Sequence, residues 1–233
     1  MHIGTAISAM YYSRPNQVLV GEALEAAAND QLEEIVRVPA KIRLELPNEI
    51  SRASVQPVID QLNAAQPGSS FELHLRHNGG GCVATMIDLI VALNETKGTV
   101  EITFGRYVMS AAATIWLWFL VRATDNVRSL PPLKPGVVMY HRPRRTQQRE
   151  YLCFADEVDP EHPLKEPLQQ QFKLFDDLFM DVYTALLLSA PDGSLREAPS
   201  ESLICEEDGL TYRHWLARLK DAYLGNQDVL IPV

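Results

Sequence analysis

Apolar and polar positions follow two rhythms along the middle of this chain, and the switches between them mark its elements. Ile42-Arg-Leu-Glu-Leu46 alternates residue by residue, as a half-buried strand does, and Pro47-Asn48 breaks it. Val55, Val58, Ile59 and Leu62 recur at the spacing that puts them on one helical face, with Ser51 or Ser54 as the cap. Gln66-Pro-Gly-Ser-Ser70 is a turn, and Phe71 to Leu75 is a second strand that runs into three glycines. Met86, Ile87, Ile90, Val91 and Leu93 form a second helical stripe within Ala84 to Leu93, and Val100 to Phe104 is a third strand. Ala111 to Val121 is apolar on every side, which predicts a buried helix.

Beyond it, Leu130 to Pro135 is a rigid proline loop, and Gly136 to Tyr140 is a fourth strand ending at His141. Arg142 to Pro163 is polar and is expected to be a surface loop. Leu168 to Leu188 is a long amphipathic helix, Ser189 to Ser202 is rich in turns, and Tyr212 to Leu224 is a last helix stopped by Gly225-Asn226. A short strand, Val229 to Val233, closes the pattern. The first 40 residues are mixed, with a candidate amphipathic helix over Glu22 to Val36.

Strands and helices thus alternate, which predicts an α/β fold with largely parallel strands and right-handed crossovers. In such folds functional groups collect where strands end and loops begin. Asn78 to Gly81, Ser110 and His141 each follow a predicted strand. A glycine-rich turn after a strand can leave backbone N–H groups pointing at an anion. A serine on a strand-to-helix turn can aim its hydroxyl at the same place. Histidine, ionising near neutral pH, is the side chain suited to take the serine's proton. These three pieces are a nucleophile, a base and an oxyanion hole.

Composition narrows the partners. The chain has 233 residues, enough for one large domain, with 46% hydrophobic residues and a net charge of -9. That charge argues against general binding to nucleic acid or to an anionic membrane, and the basic cluster His141-Arg-Pro-Arg-Arg145 is too short to reverse it. The three cysteines, Cys82, Cys153 and Cys205, have no CxxC spacing and do not pair evenly, so a reducing cytoplasm is expected. The N-terminus lacks the pattern of a secretory signal. The densest apolar stretch is 11 residues, too short to span a bilayer.

The order of motifs resembles the proteolytic subunit of Clp protease, a serine peptidase of the Clp/crotonase superfamily. The resemblance covers roughly Ile42 to Pro143. Ile42 to Ile50 is similar to that family's first core strand and turn. His77-Asn-Gly-Gly-Gly-Cys-Val83 is similar to its Asn-Ser-Pro-Gly-Gly-x-Val loop, Gly105 to Ala113 to its Gly-x-Ala-Ala-Ser segment, and Val138-Met-Tyr-His-Arg-Pro143 to its Met-Ile-His-Gln-Pro segment. The resemblance implies a single Clp/crotonase-like domain over 1–233, built of repeated strand-strand-helix units with a long C-terminal helix. Its parts would be an N-terminal segment (1–40), a core with the Gly loop, Ser and His (41–145), and a helical region with the final strand (164–233).

The same resemblance implies a serine endopeptidase with Ser110 as nucleophile and His141 as base. Ala111 and Gly80 or Gly81 would supply oxyanion N–H groups, and Asp208 the third member, with Glu207 and Glu206 as substitutes. It implies no metal or organic cofactor, and a homo-oligomeric ring. Substrates would be peptides or unfolded proteins, with an ATP-dependent unfoldase as a possible partner. The departures point to a divergent member. Ser110 lies one residue further from Gly105 than is usual, the loop before His141 is longer, glycine replaces the family's loop proline, and Trp116 and Trp118 stand where smaller residues are usual.

Each piece also has a plain reading: a small packing serine, a loop histidine, a turn. Two rival functions follow, a non-catalytic assembly partner on the same fold and a crotonase-type acyl-CoA enzyme that uses the oxyanion hole alone. His74 reads as a strand-face residue and His77 as a structural neighbour of the glycine loop. His162 and His214 have no evident partner, and Lys134 is the one candidate for a Ser-Lys dyad.

Overall fold

The computed structural model describes residues 41–147, 150–188 and 211–233. The segment Glu22 to Val36 expected to be helical, the segment 189–202 expected to be turn-rich, and Asp208, Glu207 and Glu206 lie outside these residues.

A four-stranded parallel sheet runs in the order β1-β2-β3-β5, from β1 (Ile42–Glu45), β2 (Ser70–Leu75), β3 (Thr99–Phe104) and β5 (Val127–Ser129). Its period of two is visible in the burial. Leu44, Leu73 and Ile102 share a rung and are buried, while His74 and Thr103 on the opposite face are partly exposed. Helices α1 (Arg52–Asn63) and α2 (Val83–Glu95) carry the chain from β1 to β2 and from β2 to β3. Ser51 caps α1 through a capping box with Ser54, and the helix buries Val55, Val58, Ile59 and Leu62, the expected stripe.

A second, three-stranded sheet has the order β4-β6-β9, from β4 (Tyr107–Met109), β6 (Val137–Tyr140) and β9 (Val229–Pro232). β4 and β6 are parallel, and β6 and β9 antiparallel. Between β4 and β5 runs α3 (Ser110–Val121), buried continuously from Ala111 to Leu117. The indole of Trp116 is accommodated there because its Nε1–H donates to the Leu130 carbonyl at 3.0 Å and its ring meets Phe104 edge-on. The long helix α4 (Lys165–Leu188) and α5 (Tyr212–Leu224) close the core with Phe175, Phe179, Trp215 and Tyr223.

The segment 142–163 differs from the surface loop expected for it. It contains an antiparallel hairpin, β7 (Arg145–Gln147) with β8 (Glu150–Cys153), and a short 3-10 turn over Ala155–Glu157. Its polar residues concealed the hairpin. β4 and β5 were also not anticipated: three residues each is too short for a period of two to register. Among the described residues no helix is long and apolar enough to cross a membrane.

Candidate active site

Ser110 follows β4 and His141 follows β6, at the same end of this parallel pair, and the glycine bend packs against Ser110. The register Tyr107↔Val137, Val108↔Val138, Met109↔Met139 fixes the two strands against each other. The last paired rung is Met109↔Met139; Ser110 is the first residue after β4, and His141 the first after β6, which runs one residue further, to Tyr140.

The glycine bend is bound to the other edge of β4. Asn78 bridges Val108, and the Met109 N–H donates to the Asn78 carbonyl at 3.0 Å. On its far side the same segment pairs with Ile50: the Ile50 N–H donates to Gly80 O at 2.7 Å, and the Cys82 N–H to Ile50 O at 2.8 Å. The Asn78 side chain is fully buried and ties the bend together. Its Nδ2–H donates to Leu46 O at 2.9 Å, and its Oδ1 accepts from the Gly80 N–H at 3.0 Å.

Two of the three glycines are required by this packing. A methyl on Gly80 would lie 2.5 Å from Ser110 Cβ, 2.7 Å from Met109 O and 2.9 Å from Ala111 N, and Gly80 has φ +88°. A methyl on Gly81, at φ +147°, would lie 2.3 Å from Ile50 O. Gly79 has room, its nearest such contact being 3.6 Å away at Asn48 O.

Ser110 has φ 52°, in the left-handed region that side-chain-bearing residues enter at a cost of roughly 1–2 kcal/mol. It stands between the end of β4 and the body of α3, so the chain reverses from strand to helix on this one residue. Its Oγ makes no hydrogen bond among the described residues. The N-cap of α3 is Met109, whose side chain makes no capping hydrogen bond, and the Ala111 amide at the positive end of the helix has no acceptor among the described residues. Of the expected oxyanion donors, Gly80 is already engaged by Asn78. The Gly81 N–H makes no hydrogen bond among the described residues, while Gly80 O and Cys82 N on either side of it are both engaged by Ile50.

His141 is buried, and its Nδ1 lies 2.6 Å from the carbonyl oxygen of Arg142. A carbonyl only accepts, so this contact requires the proton on Nδ1 and leaves the lone pair on Nε2. Burial is the largest cause lowering the His141 pKa; the Arg144 charge lowers it further, while the bond to Arg142 O and the Asp228 charge raise it, for a net shift below 6.5. Arg144 and Asp228 are themselves paired at 3.2 Å. The imidazole is therefore neutral at pH 7 and ready to accept a proton at Nε2. No hydrogen bond joins Ser110 to His141 among the described residues.

The other histidines stand apart. His74 bonds Thr103 Oγ1 at 2.9 Å on the sheet face. His77 stacks on Tyr107 at 5.3 Å beside the bend, and His162 Nδ1 accepts from the Leu164 N–H at 3.1 Å. Lys134 is exposed on its proline loop. Among the described residues there is no cluster of three metal-ligating side chains. A polar cavity of about 670 Å³, lined by Thr99, Glu101, Asn126 and Arg128 among others, lies at the opposite ends of the parallel strands from Ser110. In the sequence Asn78 reads only as the start of the glycine loop, Arg142 as one residue of a basic cluster, and Asp228 as the end of a Gly-x-x-Asp run. Only Asn78 carried a local signal, an amide immediately before a glycine run, where Asn commonly bonds its own backbone two residues on.

No known protein family matches the chain, and no curated protein does. Among solved structures it is similar to a point mutant of ClpP1 from Listeria monocytogenes, at 15% identity over 81% of each chain with a TM-score of 0.42. A superposition of that quality carries no argument about mechanism.

The packing predicts a sharp contrast within the glycine triplet. Gly79→Ala leaves the melting temperature within about 2 °C of wild type, whereas Gly80→Ala and Gly81→Ala each destabilise by at least ~2 kcal/mol. Thermal unfolding of the three variants checks this; equal tolerance at all three positions would contradict the packing.

Proposed function

We propose that this chain is a serine hydrolase that cleaves peptide bonds through an acyl-enzyme. The observation that carries the reading is the β4-β6 register, which brings the serine and the histidine to the same end of adjacent parallel strands, with the glycine bend packed on the serine. In this reading Ser110 Oγ attacks the substrate carbonyl carbon while His141 Nε2 takes the hydroxyl proton. The carbonyl oxygen, now negative, accepts from the Ala111 and Gly81 N–H groups. Such a donor is worth about 3–4 kcal/mol of barrier in a known protease. The C–N bond then breaks and His141 returns the proton to the leaving amine. Water repeats the sequence in reverse, with His141 as base, and releases the acid and free Ser110.

The choice of peptide over other acyl substrates rests on the Clp resemblance of the motifs. That resemblance extends the proposal to the Clp/crotonase strand-strand-helix repeat and to a cytoplasmic homo-oligomeric ring. It further extends to unfolded-protein substrates, an ATP-dependent unfoldase, and Asp208, or Glu207 or Glu206, as an acid in support of His141. A second reading, an inactive assembly partner, is favoured by the absence of a Ser110–His141 hydrogen bond and by the engagement of the Gly80 amide. The two readings part at the serine.

Treatment with a fluorophosphonate, followed by peptide mass mapping, is expected to label Ser110 in the wild type and nothing in Ser110→Ala. His141→Ala is expected to slow labelling by roughly 10³-fold or more. Because Ser110 Oγ bonds nothing among the described residues, Ser110→Ala should keep wild-type stability. An unlabelled Ser110 in the folded wild type favours the inactive partner, and labelling that survives in His141→Ala removes the histidine from the mechanism.

The pH profile carries a sign. A base whose pKa is lowered stays neutral further into acid, so the acid limb of kcat/KM falls below the ordinary histidine value of about 6.5. Arg144→Gln removes a positive charge from beside His141 and releases Asp228 toward it, and both changes move that limb to higher pH. A limb that stays in place, or moves down, would contradict the assignment of His141 as the titrating base.

A further inference from the structure

His141 is suspended between two tethers to a single turn of α4. On one side, the buried Tyr140 O–H donates to the Phe175 carbonyl at 3.0 Å. On the other, Arg142 forms a two-pronged pair with Asp176, Nε to Oδ1 and Nη2 to Oδ2, each at 2.8 Å. Two parallel charge-assisted bonds fix the plane of a guanidinium as well as its distance.

Arg142 is held from further sides. Its Nη1 donates to the Leu224 carbonyl at 3.0 Å and to Asn226 Oδ1 at 3.2 Å, beyond the end of α5. Its guanidinium lies over the rings of Phe172 and Tyr223, at 5.1 and 5.4 Å. Asp176 receives a further bond from the Tyr223 O–H at 2.9 Å. The Arg142 side chain is only 12% exposed, a degree of burial that a long cationic residue attains when its donors are matched. All these contacts anchor the residue whose backbone carbonyl meets His141 Nδ1.

We infer that Arg142 is the positioning residue for the catalytic histidine: clamped to Asp176 by its side chain, it presents its own carbonyl to His141 Nδ1–H and thereby holds the tautomer that keeps Nε2 free. The inference rests on the hydrolase reading above. In a familiar triad a carboxylate behind the histidine sets the tautomer. Here a carbonyl occupies the Nδ1 proton, and the rigidity that a carboxylate would owe to its own surroundings comes from the Arg142–Asp176–Tyr223 network. The carbonyl carries no full charge, so it orients the ring without stabilising the imidazolium as an acid would. The carboxylate facing the ring among the described residues is Asp228, already paired with Arg144. The network's groups come from elements far apart in sequence: Asp176 lies 34 positions after Arg142, and Tyr223 47 positions after Asp176.

The test follows the tautomer directly and the chemistry separately. The full chain is labelled with ¹⁵N-histidine, and the His141 ring nitrogens are read by long-range ¹H–¹⁵N correlation at pH 7.5 in wild type, Asp176→Asn and Tyr223→Phe, alongside the rate of fluorophosphonate labelling. The wild type is expected to show Nδ1–H. Asp176→Asn is expected to convert His141 toward Nε2–H and to slow labelling roughly ten- to hundredfold. Tyr223→Phe, which removes one bond from the clamp, should do the same to a smaller degree and decides the matter if Asp176→Asn does not fold. The inference is overturned if folded Asp176→Asn and Tyr223→Phe both retain the wild-type tautomer and labelling rate. Absence of labelling in the wild type would sink the hydrolase reading, while the tautomer comparison would still decide the clamp.

Discussion

Three parallel residue pairs between β4 and β6 are the constraint on which the site depends. Parallel strands cannot be joined by a tight turn, so these two are set beside each other by everything folded between them: α3, β5 and the proline loop. Their shared direction puts both carboxyl ends at one place. The residue leaving β4 is Ser110, and the residue leaving β6 is His141. A slip of one residue in this register would turn the alternating side chains of β4 to the opposite face, burying Tyr107 and exposing Val108. Val108 and Val138, both buried and directly opposed, resist such a slip.

The glycine bend is the second half of the same device. Asn78 spends its side chain inside the bend, on Leu46 O and the Gly80 amide, and its carbonyl on Met109. Gly80 can then approach Ser110 more closely than any side chain would allow. The left-handed backbone of Ser110 is strain that the surroundings maintain: β4 on one side, the buried helix on the other and Gly80 against its Cβ. Strain of this kind, next to an uncapped helix N-terminus and a buried neutral histidine, is costly to keep in a fold that makes no chemical use of it.

Much of this was legible in the sequence, for reasons that can be stated element by element. The stripe Val55, Val58, Ile59, Leu62 and the run Ala111 to Val121 declare themselves because burial on one face, or on all faces, leaves a periodic trace. The last helix has the expected bounds, Tyr212–Leu224, because a glycine and an asparagine follow it. The positions of the glycine bend and His141 at strand ends were also readable, since strands that end in polar or glycine residues show where they stop. β4, β5 and the hairpin after His141 were not, being too short or too polar to carry a period. Arg142 looked like one residue of a solvated basic cluster. Its real partners lie on α4 and beyond α5, and no local pattern marks an ion pair formed at that separation. The Gly80 amide looked free because its acceptor, Asn78, was read as part of a turn and not as its organiser.

The central claim is that one hydroxyl, one imidazole nitrogen and two backbone amides converge on a single carbonyl. A crystal structure of the protein soaked with a peptide boronate tests it most directly, because boron takes the tetrahedral geometry of the attacked carbon. The account predicts a covalent bond from Ser110 Oγ to boron, one boronate oxygen within about 3 Å of the Ala111 and Gly81 nitrogens, and the other facing His141 Nε2. A boronate bound at a different residue, or bound at Ser110 with both oxygens turned away from those amides, would contradict it.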